Sequence, residues 1–248
     1  MRRDILSGIR ISAVGLDSTF MFKPPDKLAH LLMAFIGMRK VRPIHPEIPY
    51  HLCARTNARV DFGPPLDFVW NCMENYLHFL HFVYAVKIHS FVLMPNHFHL
   101  IAKFPNANLG EAMNYFMRET SREISRVSGR ENHLYGTRVF RSALSSFHYF
   151  THAYKYVYRN PVEAGLSLRV EAYQFSTLQS LLGIAHGMTP LEEDTLLFDD
   201  VGQQLTWLNQ NPGGDSREAV KRGLRRQEFR LANDRKSRRP NVLETNLY

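Results

Sequence analysis

Apolar and polar positions change period several times along this chain, and those changes outline the fold. Tyr50 to Thr56 reads as a short strand, followed by a polar, Gly-Pro-rich loop to Pro65. From Leu66 to Val83 the apolar residues Phe68, Val69, Cys72, Tyr76, Phe79, Leu80 and Val83 recur at helical spacing. Ala85 to Leu93 predicts a second strand, Pro95-Asn96 a turn, and His97 to Phe104 its antiparallel partner. Leu109 opens a second helix, with Met113, Phe116, Met117 and Ile124 inward and an end near Gly129. Arg138 to Leu144 predicts a fourth strand. Phe147 to Asn160 predicts a third helix, closed by Pro161, because the residue before a proline is pushed out of the helical region.

Strand, helix, strand, strand, helix, strand is the order of a split βαβ unit. The expected class is therefore α+β: a ferredoxin-like antiparallel sheet over about residues 46–170, with helices on one face and the other face open. Residues 1–45 carry breakers at Gly8, Gly15, Pro24-Pro25, Gly37 and Pro43, and read as a peripheral extension. Residues 171–248 read as a helical, basic extension, with Ser216 as the cap of a helix running to about Leu231.

Charge sharpens this picture. The chain has 248 residues and a net charge of +8. Residues 217–239 hold ten basic and three acidic residues, a net +7, so nearly all the excess lies in one stretch. A polyanion is the expected partner, nucleic acid being the commonest. A charged tail that is merely solvated gives the same composition. Cys53 and Cys72 form no CxxC, which argues against a disulfide scaffold or thiolate zinc site. The apolar run Leu28 to Met38 is too short to span a bilayer, and the expected location is the cytoplasm.

Two segments carry candidate chemistry. On a strand, His97 and His99 project to one face with Phe98 on the other, and imidazoles are good ligands for divalent metals. A bare HxH is more often a hydrogen-bonded surface pair. On the third helix His152, Tyr156 and Asn160 stack at four-residue intervals, while Tyr154 and Tyr158 point elsewhere. A phenol becomes a nucleophile when its surroundings favour phenolate, and an amide oxygen suits a hard metal. An aromatic helix is more often core. His148 and His152 lack the glutamate of HExxH, and no Walker loop, GxGxxG or GxSxG is present.

Together these segments resemble the single-tyrosine HUH transposases, in particular the REP-associated tyrosine transposase branch. Tyr50 to Asn57 resembles that family's first strand and Phe91 to Leu100 its metal-binding hairpin. Tyr135 to Ser142 resembles the strand before its catalytic helix, and Tyr156 to Leu166, with Asn160-Pro161-Val162-Glu163-Ala164-Gly165, resembles the catalytic helix and its exit. The resemblance covers about residues 45–170. It implies His97 and His99 as ligands of Mg²⁺ or Mn²⁺, Asn160 completing the metal shell and Tyr156 as nucleophile; His152, from its spacing alone, reads as a supporting partner of Tyr156 or simply as a helix-surface histidine. It also implies cleavage and rejoining of single-stranded DNA beside a hairpin through a 5′-phosphotyrosine, without ATP. Arg55, Arg138, Lys221, Arg222, Arg225, Arg226, Arg238 and Arg239 are the expected DNA contacts. A monomer and a helix-exchanging homodimer are both open.

Family members begin shortly before the first strand, where Met38-Arg39-Lys40 stands here, so residues 1–37 are expected to be a lineage-specific extension or an over-called start. Other readings remain. A domesticated hairpin-binding protein would need only the sheet and the basic tail. A metal hydrolase would use His97, His99 and water. An RNA-binding ferredoxin-like module would need an aromatic pair on neighbouring strands, which is not evident.

Overall fold

A computed structural model describes residues 43–194, 196, 200–233 and 238–248. The expected peripheral segment, residues 1–45, lies outside the described residues except for its last three. The first strand is β1 (Tyr50–Arg55), followed by α1 (Leu66–Tyr84) and the hairpin β2 (Lys87–Met94) and β3 (His97–Lys103). Then come α2 (Leu109–Ser128), β4 (Phe140–Ala143) and α3 (Phe147–Glu163). The sheet order is β2-β3-β1-β4 and every neighbouring pair is antiparallel. That is the α+β, split βαβ arrangement the order of elements predicted.

Alternation divides the sheet. Tyr50, Leu52 and Ala54 of β1 and Phe98, Leu100 and Ala102 of β3 are buried on one face. There they meet α1 and α2: Trp70 lies 5.6 Å from Phe91 and Phe116 5.5 Å from Phe98, ring centre to ring centre. The buried stripe of α1 is Val69, Cys72, Met73, Leu77 and Leu80. Phe79 and Val83, expected inside, are exposed; Phe79 stacks on Tyr115 at 4.8 Å instead. Two left-handed residues stop the helices, Ala85 (φ 54°) after α1 and Gly129 (φ 63°) after α2, and each turns its N–H back onto the helix.

The second face is not open. His51, Val92, His99 and Ile101 are all buried on it, beneath α3. The apolar Val92 and Ile101 share this face with the histidines, and such a face is stable only when covered. α3 also runs three residues further than expected, through Pro161 to Glu163. Pro161 and Arg159 are buried in that last turn, so packing there outweighs the bond that proline cannot donate.

The tail completes the sheet. After α3 come α4 (Thr177–Leu181), α5 (Val201–Asn209) and α6 (Gly214–Leu224). α6 starts before Ser216 and ends at Leu224, so the helix expected from Ser216 to Leu231 is displaced and shorter. Beyond β2, Leu93 N–H donates to the Phe175 carbonyl (3.0 Å) and Glu192 N–H to the Ile88 carbonyl (2.8 Å). Beyond β4, Ala143 N–H donates to Gln227 (2.9 Å) and Phe229 N–H to Ala143 (2.9 Å). Both sheet edges are thus occupied by the chain's own later segments, and residues 43–248 form one compact unit rather than a domain with a detached extension.

Candidate active site

The site lies where β1 and β3 run side by side under α3. The register sets Cys53 opposite His99 and Arg55 opposite His97. Counting back along β1 brings His51 onto the same face, and its Nε2 stands 2.9 Å from His99 Nδ1. The His97 and His99 rings are 5.0 Å apart and nearly perpendicular. His97 Nδ1 is held 2.7 Å from Asn96 Oδ1 in the hairpin turn, so that nitrogen carries the proton and donates.

From above, α3 presents Tyr156. Its ring is 5.8 Å from His99 and 6.4 Å from His51, edge-on to both. The neighbouring tyrosines belong to the core: Tyr154 donates to Asp194, and Tyr158 lies 3.2 Å from the Thr177 hydroxyl. Asn160, one turn beyond Tyr156, gives its Nδ2 to the Tyr156 carbonyl at 2.8 Å, which leaves Oδ1 as the outward atom of that amide.

Burial sets the charge states. It pushes His97 down to about 4, helped by Arg55, and His51 down to about 3, helped by His97. His99 is held well below the ordinary imidazole range by burial and then by His97, His51 and Arg55. All three rings are neutral at pH 7, which is the form that can ligate a metal. Burial pushes the Tyr156 phenol up to about 12, with Cys53 adding to it; Arg217, Arg225 and the Asn160 amide pull the other way.

Arg217 comes from α6, which packs against α3, and Arg225 is the residue that caps its C-terminus. Arg217 is anchored by Glu163 at 3.1 Å, and Glu163 also holds the buried Arg159 at 2.8 Å. Arg225 was expected at DNA, but its position near the phenol was not, and Arg217 was not singled out at all. Neither follows from spacing, since α6 lies far along the chain from Tyr156. His51 was legible in principle, because it alternates with Cys53 and Arg55 on the strand that the topology sets beside β3.

His152 has a different place from the one expected. It is fully buried, accepts the Tyr248 N–H at Nδ1 (3.1 Å) and donates from Nε2 to the Leu243 carbonyl (2.9 Å). Its ring fastens the C-terminal segment to α3 rather than supporting Tyr156. Arg55, Arg138, Arg222, Arg225, Arg226, Arg238 and Arg239 are exposed and Lys221 is half-buried. Lys221 and Arg222 share Glu218 at 3.2 Å each, so part of the tail's charge is balanced within α6.

No family model matches the chain. Over 106 residues it is 26% identical to a REP-associated tyrosine transposase of Escherichia coli (strain K12). The match takes in 43% of this chain and 61% of that transposase, so the chain spans about three-fifths of its curated relative's length. A solved structure, described as a REP-associated tyrosine transposase bound to a REP hairpin, is similar at a TM-score of 0.48 and 18% identity. It covers 63% of this chain and 92% of that one.

Among the described residues no three His, Cys, Asp or Glu side chains converge as a metal-binding group. The donor set expected from the sequence is a different one: the imidazoles of His97 and His99 and the amide of Asn160. His99 Nε2 is buried without a partner, and a neutral imidazole nitrogen in that position fits a metal ligand.

Proposed function

We propose that this protein is a metal-assisted, single-stranded DNA transposase or endonuclease that cleaves and rejoins DNA beside hairpin repeats through Tyr156. The observation that carries the reading is the convergence of Tyr156 with the neutral His99, whose Nε2 has no partner, within the influence of Arg217 and Arg225. Similarity to a REP-associated tyrosine transposase supports it.

His97, His99 and Asn160 would hold Mg²⁺ or Mn²⁺, which when bound polarises the scissile phosphate and neutralises charge developing on it. The other steps belong to the chain. The Tyr156 phenol is protonated at pH 7, since burial holds it near 12. Attack on phosphorus forms the Tyr156 Oη–P bond and breaks the P–O3′ bond; the phenolic proton is lost and the departing 3′-oxygen gains one. A 5′-phosphotyrosine and a free 3′-hydroxyl result. The bond is conserved in the adduct, so a second 3′-hydroxyl can reverse the step and join new ends. Arg217 and Arg225 favour the phenolate by charge.

The test uses an end-labelled single-stranded hairpin drawn from the gene's own flanks, incubated with Mg²⁺ or Mn²⁺ and resolved on a denaturing gel. Wild type should give a metal-dependent covalent protein–DNA band that is absent in Tyr156→Phe and His97→Ala. Cleavage without an adduct would make the protein a hydrolase. Binding without cleavage, unchanged in Tyr156→Phe, would leave a hairpin-binding protein without chemistry.

A further inference from the structure

We infer that His51 is a positioning residue that accepts the Nδ1 proton of His99 and so keeps His99 Nε2 unprotonated for a divalent cation. This rests on the metal-assisted reading above and names a residue outside its ligand set. His51 Nε2 and His99 Nδ1 are 2.9 Å apart, and the rings are inclined by 23° at 5.1 Å between centres. Both side chains are buried, so water does not compete for the bond.

A neutral imidazole has one proton, and two arrangements share it across that contact. In one, His51 donates from Nε2, and His99 must then carry its own proton on Nε2, which cannot bind a metal. In the other, His99 donates from Nδ1 and Nε2 keeps its lone pair. Only the second is compatible with a ligating His99. It places the remaining His51 proton on Nδ1, and the register sets Ser142 of β4 across from His51. His51 Nδ1, Ser142 Oγ and His99 Nε2 are all buried without partners. The outer nitrogen of each ring is thus free on either side of one short contact between the two. Metal-bound histidines commonly give their other N–H to an acceptor that fixes tautomer and ring orientation. Here a second histidine, one strand over, supplies that acceptor.

Mn²⁺ titration of the full chain by calorimetry, without DNA, separates the possibilities. His51→Phe should fold, by its circular dichroism, yet bind Mn²⁺ about ten- to a hundredfold more weakly. His51→Gln, whose Oε1 can take the same proton, should recover most of the affinity. Unchanged affinity in folded His51→Phe would overturn the inference while leaving the metal reading standing. Absence of Mn²⁺ binding in wild type would overturn both. In the Mg²⁺-loaded wild type with ¹⁵N-labelled histidine, His99 should carry its proton on Nδ1. A proton found on Nε2 would overturn the assignment whatever the affinities.

Discussion

As the proposed nucleophile, Tyr156 stands in an unfavourable setting, because the burial that brings it to His99 also makes the phenol hard to ionise. Below a pKa of about 12 the phenolate fraction grows tenfold per pH unit. Single-turnover adduct formation with Mg²⁺ should therefore rise about tenfold per unit between pH 7 and 9, if the phenolate is the attacking form. A profile flat over that range would mean that a group with a lower pKa takes the proton. His152 gives a second, independent pH dependence. Burial lowers it to about 4, with the Leu243 carbonyl opposing and His148 and Lys155 assisting. Its folded pKa is below the unfolded 6.5, so its stabilisation is complete above 6.5 and is lost as pH falls toward 4. The linkage amounts to about 1–2 kcal/mol at pH 5. Urea unfolding of wild type should weaken from pH 7 to 5, and His152→Gln should show a shallower decline. Parallel declines in the two proteins would remove His152 from the account.

At the scale of elements, what was legible followed from period. The β2–β3 hairpin is a pair of short, mostly apolar runs around the Pro95-Asn96 turn, and α2 repeats its apolar residues at helical intervals, so each predicted itself. The last turn of α3 did not, because a buried Pro161 obeys its packing and not the local preference of the residue before it. α6 was displaced for a related reason: its position is fixed by one close contact and not by a cap. A Cβ on Gly223 would lie 2.9 Å from the Phe229 ring and 3.2 Å from the Arg230 carbonyl. The glycine lets α6 sit against the segment that pairs with β4, and through that contact it places Arg217 and Arg225. Gly223→Ala should cost about 1–3 kcal/mol of stability by overpacking. It should also slow adduct formation more than Tyr156-independent DNA binding. Thermal melts and the gel assay on the same preparation check both, and an unchanged melting temperature would show that the ring moves aside freely.

For the molecule as a whole, the two histidines and the tyrosine stand out by spacing along the chain, whereas the tail has the look of an appendage. Phe175, Phe229, Leu243 and Tyr248 are buried against the domain, yet they sit singly among polar residues and present no period to read. That is why the closure of the second sheet face was missed. It also changes what the tail's charge can do. Arg217, Lys221, Arg222 and Arg230 each face a glutamate within 3.2 Å, so a count of ten basic residues overstates what is available to phosphates. Arg225 and Arg226 are exposed just past the end of α6, and the charge of Arg225 reaches the Tyr156 phenol. If they meet the DNA backbone there, each released counterion contributes roughly 0.7–0.9 to the slope of log affinity against log salt. Anisotropy of a labelled hairpin across a potassium chloride series should show that slope reduced by about 1–2 in Arg225→Ala/Arg226→Ala. The same hairpin on Arg138→Ala, whose arginine lies in the loop before β4, supplies a comparison from a different segment of the chain. Equal slopes in wild type and the double variant would place the phosphates elsewhere, and with them the path by which a strand reaches Tyr156.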